Sequence, residues 1–470
     1  MSRRDLAAIF EKASAGVSAN VFTRTFSLVF AGGNLPSLNA RENMVSFQLT
    51  DKKEGRAGAT NKNELPAGEK RLFMLSKNYS KNVNARSAIR ELFEYSKARA
   101  AEIGAENVFD FSIGNPSVPS PECIFEAAED ILENEDPVKT HGYPSAEGIP
   151  AVRKAIAEEL NGRFGTDYTE KNIFMTIGAA AAVTLCIRAV SDQGVGDEII
   201  TFAPYFPEYG VYARSAGVKL NVIKPEIESF QIDFDGLEKA LSEHTRAVLI
   251  NSPNNPSGAV YSEETIKKLA ELLRVKQKEF GHSIYIISDE PYREIVFEGF
   301  SVPYVPNYYD NTLVCYSYSK ALSIPGERIG YVAFTDKCED ADIILRVLGA
   351  AARDLAYVGV PSLYQEVIGR TTGATADLSV YQTNKDILYK GLIDAGYFCV
   401  EPGGTFYAFP RALEPDAVAF CEKAKKFELV LVPGDGFGCP GHFRIAFCQP
   451  TGKVERSIEK FRLLAEAYGK

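Results

Sequence analysis

Between about residue 173 and about residue 350, short apolar runs alternate with helical stretches. No other feature narrows the fold so far. "NIFMTIG" reads as a strand, and "AAAAVTLCIRAV" behind it as a helix. "DEIITFAP" and "RAVLINSP" read as strands, followed by the helical "SEETIKKLAELLRVKQKEFG". "SIYIISDEPY" and "NTLVCYSYSK" are strands again. Strands separated by helices point to βα units. The expectation is an α/β fold whose large domain has a mainly parallel sheet flanked by helices. From about residue 355 a long helical stretch leads to "EPGGTFYAF", "ELVLVPG" and "HFRIAFC", which predicts a smaller α/β C-terminal domain.

The domain boundaries follow from where the pattern changes. Residues 1–73 are rich in Gly, Asn and charge without a sustained apolar period, so they read as a loosely ordered extension. Met74 is then the expected functional start, and residues 1–73 are expected to be dispensable for activity. Residues 74–120 form an N-terminal helix, beginning in "SAIRELFEYSKARAAEIG", and an arm joining the small domain. The large domain spans 121–365 and the small one 366–470.

Several function classes are excluded. A net charge of −10 argues against a nucleic-acid or anionic-membrane partner. No apolar run approaches the roughly 20 residues a bilayer span needs. The eight cysteines include no CxxC pair, which suits reduced thiols in a cytoplasm. The four histidines lack metal-ligand spacing, so no metal site is expected. The start, "MSRRDLAAIFEKASAG", carries Asp5 and Glu11 and fits a transit peptide poorly.

In open parallel sheets, ligands sit beyond the carboxyl ends of the strands. Gly178, Ala179 and Ala180 follow the first strand, and "APYFPEY", "NSPNNPSG", "SDEPY" and "SYSK" follow the others. Small residues opening a helix let backbone N–H groups approach an anion. Ser317, Ser319 and Arg328 add hydroxyls and a guanidinium suited to phosphate. Asp289 at a strand end holds a positive charge in a cleft, Asn255 and Tyr292 bond an oxygen, and Phe206 offers a stacking face. This set describes a planar, phosphorylated, protonated heteroaromatic ring with a phenolate oxygen. Lys320 is its imine partner, since a desolvated lysine near other cations loses its proton close to neutral pH.

From about residue 85 onward the chain resembles the class I/II aminotransferases, of the fold-type I pyridoxal-phosphate enzymes. The resemblance rests on "SIGNPS" (112–117), "HGYPSAEGIPAVRKAIA" (141–157), "TIGAAAAV" (176–183), "APYFPEY" (203–209), "NSPNNPSG" (251–258), "SDEPY" (288–292), "SYSK…GERIG" (317–330) and "FRIAF" (443–447), in this order. It implies pyridoxal 5′-phosphate as cofactor, bound covalently to Lys320, which also shuttles the substrate proton. It implies that Asp289 pairs with the pyridine nitrogen and that Asn255 and Tyr292 bond the ring oxygen. Ala179, Ala180, Ser317, Ser319 and Arg328 then hold the phosphate, and Phe206 stacks on the ring. Tyr143 reaches the phosphate of the neighbouring subunit, which implies a homodimer with shared sites. Arg444 takes the substrate α-carboxylate beside the backbone of Gly114. The Asn255–Pro256 and Ala203–Pro204 bonds are expected to be cis.

The reaction implied is transfer of an amino group from an L-amino acid to a 2-oxo acid. Another fold-type I reaction, such as a C–S β-lyase, would use the same cofactor contacts. A pyridoxal-phosphate-binding regulator is disfavoured by the acidic charge and by the lack of a helix-turn-helix pattern in residues 1–73. The alanine-rich phosphate turn brings no side-chain hydroxyl or charge. No second cation beside Arg444 is evident for a substrate side chain, although Arg353 in "GAAARDLAY" is a candidate.

Overall fold

A computed structural model describes Ser76 and residues 88–470 of the chain. The expectation for residues 1–73 lies outside the described residues. The first helix among the described residues is Ala88–Ile103, within the stretch read as helical from its sequence.

Seven strands form the central sheet: β2 (Ile173–Thr176), β3 (Glu198–Phe202), β4 (Lys219–Ile223), β5 (Thr245–Asn251), β6 (Tyr285–Asp289), β7 (Thr312–Ser317) and β8 (Gly330–Ala333). Their order across the sheet is β2-β8-β7-β6-β5-β3-β4. The pairs among β3 to β7 are parallel, whereas β8 runs antiparallel to both β2 and β7. The sheet is therefore mixed, though mainly parallel. The direction of β8 has a consequence for the site, because the residues just before it reach the same rim as the carboxyl ends of the parallel strands.

Alternate residues of each strand point to opposite faces. Phe174, Leu249, Ile287, Leu313 and Val332 share one apolar layer with the helices Ala179–Val190 and Ala341–Asp354. Their neighbours Ile173, Met175, Val314 and Ala333 face the other way, into the helix Pro150–Phe164. Val248, Ile250 and Ile286 do the same against the helix Glu263–Phe280. That last helix starts where Ser262 Oγ accepts from the Thr265 N–H at 3.0 Å, and it stops at Gly281 in a left-handed conformation. Each fully buried Leu or Ile in these layers contributes about 1.5–3 kcal/mol.

The C-terminal layer has an antiparallel three-stranded sheet of β11 (Val432–Pro433), β12 (Phe443–Ala446) and β9 (Tyr407–Ala408). Beside it, β1 (Phe109–Asp110) pairs in parallel with β10 (Leu429–Val430). The long helical stretch after residue 355 is broken into two helices, Ser362–Arg370 and Ser379–Asp394. Gly373, at φ 80°, lies in the break. The Ala203–Pro204 and Asn255–Pro256 bonds are cis as expected, and Ser252–Pro253 is cis as well.

Candidate active site

A cavity of about 310 Å³ opens at the carboxyl ends of the parallel strands. Twelve of the thirteen residues selected from sequence line it: Gly114, Ala179, Ala180, Phe206, Asn255, Asp289, Tyr292, Ser317, Ser319, Lys320, Arg328 and Arg444. Tyr143 is fully exposed and does not line it. Arg353 is exposed on the helix Ala341–Asp354 and also lies outside it. A larger groove of about 770 Å³, around Asp197, Arg246 and Asp340, lies at the amino ends of the strands and holds none of these residues.

One wall is built for an anion. Gly178 caps the helix Ala179–Val190 at φ 88° without any side-chain bond, so the first N–H groups of the helix remain open. A Cβ at Gly178 would lie 2.6 Å from Arg328 Nη2, so glycine is what allows the guanidinium to approach the helix end. Arg328 itself has φ 51°, and it donates to the Ile177 carbonyl at 3.1 Å and the Pro325 carbonyl at 2.9 Å. Ser317 caps the short helical turn Tyr318–Ala321, accepting from the Ser319 N–H at 3.2 Å and donating to Ser319 Oγ at 2.8 Å.

That turn carries Lys320, which therefore sits on one turn of helix rather than in open loop. Its Nζ donates to the Gly114 carbonyl at 2.8 Å. Burial pulls its pKa down to about 8, with Arg444 and Arg328 pushing the same way and Cys448 opposing. The amine is thus close to losing its proton in the unmodified site.

Asp289 ends β6 in a buried position. Its Oδ2 accepts from Tyr209 Oη at 2.5 Å, while its Oδ1 has no hydrogen-bond partner. Burial pushes the carboxyl up to about 7; the Tyr209 bond works against that and Glu290 adds to it. A buried carboxylate with one free oxygen calls for a cationic donor.

Across the cavity, Arg444 on β12 is held by Asn255 Oδ1 at 3.1 Å and the Ser112 carbonyl at 2.6 Å. Its guanidinium lies 4.7 Å from the Tyr407 ring centre and 5.0 Å from that of Phe437, and its buried Nε lacks a partner. Two orphaned polar groups of opposite charge thus belong to residues that line the same cavity as Lys320.

Three of the lining residues that escaped the sequence reading make polar contacts that tie the site together. Tyr209 orients Asp289. Asn251 donates to the Asp289 carbonyl at 2.8 Å and accepts from the Asn255 N–H at 2.7 Å, fixing both strand ends to each other. Tyr407 stands between Tyr292 and Arg444. Asn251 was open to detection as an amide at a strand terminus, whereas both tyrosines read as ordinary core aromatics.

The donor set fits pyridoxal phosphate. It brings an anion-binding helix end, a buried acid that lacks a cation and a desolvated amine to one cavity.

Comparison with known proteins agrees with this geometry. The sequence profile of the class I and II aminotransferases matches residues 106–461. A probable aspartate aminotransferase of Methanocaldococcus jannaschii is 31% identical over 383 residues, covering 79% of this chain and 95% of that protein. An aspartate aminotransferase of Pyrococcus horikoshii is 31% identical over 394 residues, covering 81% and 94%. Among solved structures, an amino transferase from Eubacterium rectale superposes with a TM-score of 0.83 at 51% identity, covering 85% of this chain and all of that one. With its profile match running through both the sheet that carries Lys320 and the layer that carries Arg444, the chain belongs to the class I and II aminotransferases, a family that moves amino groups with pyridoxal phosphate.

Proposed function

We propose that the cavity seats pyridoxal 5′-phosphate against Lys320, and that Arg444 selects the α-carboxylate of an L-amino acid whose amino group passes to a 2-oxo acid. The observation that carries this reading is Asp289: a buried acid with an unpartnered Oδ1, on the rim that also presents Lys320. When bound, pyridoxal phosphate supplies an aldehyde that condenses with amines and a ring that withdraws electrons.

The chain's own residues do the rest. The open N–H groups of Ala179 and Ala180, with Ser317, Ser319 and Arg328, bind the phosphate. Asp289 holds a proton on the pyridine nitrogen, and Tyr209 keeps its carboxylate aimed. Asn255 and Tyr292 donate to the ring oxygen, and Phe206 covers one ring face. Lys320 Nζ, whose proton is loosened by burial, takes the proton from the substrate Cα and returns it at the acceptor carbon. Arg444 pairs with the carboxylate, using the Nε that now lacks a partner, while the Gly114 backbone lines the other side. Among the described lining residues no guanidinium other than Arg328 and Arg444 enters the cavity.

The test is a panel of amino donors with 2-oxoglutarate, pyruvate and oxaloacetate. A new amino acid formed in step with a new 2-oxo acid is the expected result. Release of ammonia and pyruvate instead would mark a β-lyase and overturn the proposal.

The working unit is proposed to be a homodimer in the cytoplasm. The fully exposed Tyr143, placed away from its own cavity, supports the shared site. The cytoplasmic reading is supported by the eight cysteines, all of which are unpaired, and no described helix is long and apolar enough to cross a membrane. A phenol donating to a phosphate oxygen contributes roughly 1.5–3 kcal/mol, so Tyr143→Phe should weaken cofactor retention about tenfold to a hundredfold. Subunit exchange with Lys320→Ala then separates the possibilities. In the hybrid, the one site retaining Lys320 should regain full cofactor affinity, because its Tyr143 comes from the other chain. Persistent weak binding at that site would assign Tyr143 to its own subunit.

A further inference from the structure

Tyr407 stands where three parts of the site meet. On β9 it lies opposite Ala446 of β12, two residues beyond Arg444. Its ring packs 4.7 Å from the Arg444 guanidinium. Its hydroxyl sits directly over Gly114, where an added Cβ would come within 1.8 Å of it, and the Gly114 carbonyl is the acceptor for Lys320 Nζ. The same hydroxyl lies 3.3 Å from Tyr292 Oη. Both phenols are buried, and each is the other's only hydrogen-bond partner among the described residues.

Two phenols in contact share one hydrogen bond, so one proton is used between them and the other is left over. If Tyr292 donates to Tyr407, the left-over proton belongs to Tyr407. Tyr292 then has no proton for the cavity, since its single O–H is spent on Tyr407. If Tyr407 donates to Tyr292, the left-over proton belongs to Tyr292, beside the cavity. The reading of Tyr292 as a donor to the ring oxygen requires the second arrangement, because a phenol has a single proton to give.

We infer that Tyr407 is a positioning residue for the reaction, its hydroxyl donating to Tyr292 Oη and so turning the Tyr292 proton into the cavity, onto the oxygen of the bound ring. The inference rests on the proposal that the cavity seats pyridoxal phosphate. Donor chains of this kind strengthen each member.

The experiment uses pyridoxine 5′-phosphate, which has the ring oxygen but no aldehyde, titrated calorimetrically into protein stripped of cofactor. Tyr407→Phe keeps the ring, with its packing on Arg444 and Gly114, and removes one oxygen. It is expected to weaken binding about threefold to tenfold, the range for one lost hydrogen bond. In a Tyr292→Phe background the same change should have no further effect, because the proton it directs is gone. A second reading comes from the reloaded protein, in which the visible band reports protonation of the nitrogen that joins cofactor and lysine. Tyr407→Phe should move its pH midpoint upward by about 0.5–1 unit, in the same direction as Tyr292→Phe. The sign follows because a ring oxygen released by Tyr292 turns back to that nitrogen's proton. Unchanged affinity and midpoint in Tyr407→Phe would overturn the inference, as would a full additional loss in the Tyr292→Phe background. Failure of the ligand to bind the unaltered protein would instead bring down the cofactor assignment itself, and this inference with it.

Discussion

Lys320→Ala is expected to lower kcat by at least about 10⁴-fold, the upper range for loss of a positioned general base. No other described amine lines the cavity, so nothing in the fold takes over the proton. Binding should survive better than turnover, since the helix end at Ala179, the two serines, Arg328 and Asp289 all remain. The pH dependence carries the same signature. With its pKa drawn down to about 8, the amine gains nucleophilic character as pH rises through that value. Capture of added cofactor by the unloaded protein should therefore quicken between pH 7 and 9 and level off above it. Borohydride reduction of the loaded protein and peptide mapping should place the label on Lys320. A label on another lysine, or a loss below tenfold in the alanine variant, would remove Lys320 from the chemistry.

The second large effect is expected at Asp289. Asparagine preserves the shape and accepts the Tyr209 hydrogen bond, but its remaining group is an NH₂ donor. A donor aimed at the pyridine nitrogen removes the reason for that nitrogen to hold a proton. Asp289→Asn should slow the amino-acid half-reaction by about 10²–10³-fold, the scale for losing one preorganised electrostatic contact. A half-reaction within tenfold of the unaltered protein would refute the role. The unloaded protein offers an independent measure. The carboxyl sits near pKa 7 when folded, above its unfolded value of 3.8. The folded state thus holds the proton more tightly, and the stability this gives is present at low pH and lost as pH rises through about 7. The thermal midpoint of the cofactor-free protein should fall between pH 5 and 8, with roughly 2–4 kcal/mol at stake. Asp289→Asn should be flat across that window, and added cofactor should restore the unaltered protein by pairing the ionised oxygen.

These two residues were legible in the sequence because each follows a continuous apolar run with clear ends. Such runs mark strands buried on both faces, and their carboxyl ends converge whatever the detailed order. β4 was not legible, since "KLNVI" lies at the sheet edge and only Ile223 is fully buried. β8 is four residues long, and nothing in "GYVA" encodes that it runs against its neighbours. Its direction is set by a register with β7 and β2 that only the folded sheet reveals. Tyr209 and Tyr407 were hidden for another reason. A tyrosine in an apolar stretch serves packing and hydrogen bonding at once, and the sequence does not say which atom its hydroxyl meets. The helical turn that carries Lys320 was not legible because Tyr318–Ala321 is too short to show a helical period.

The pairing of Phe109–Asp110 with Leu429–Val430 joins two segments that leave the ribosome at very different times. Ser112 and Arg444, bonded to each other in the site, are 332 positions apart. At roughly 5–20 residues per second, a ribosome needs about 20–60 s to travel that distance. During this interval the strands of the central sheet have already emerged, and the rim that carries Asp289 and Lys320 is free to assemble. The strand at Phe109 has no β10 to pair with, and Arg444 is not yet part of the chain. A chain interrupted before Leu429 therefore holds every residue that lines the cavity except Arg444.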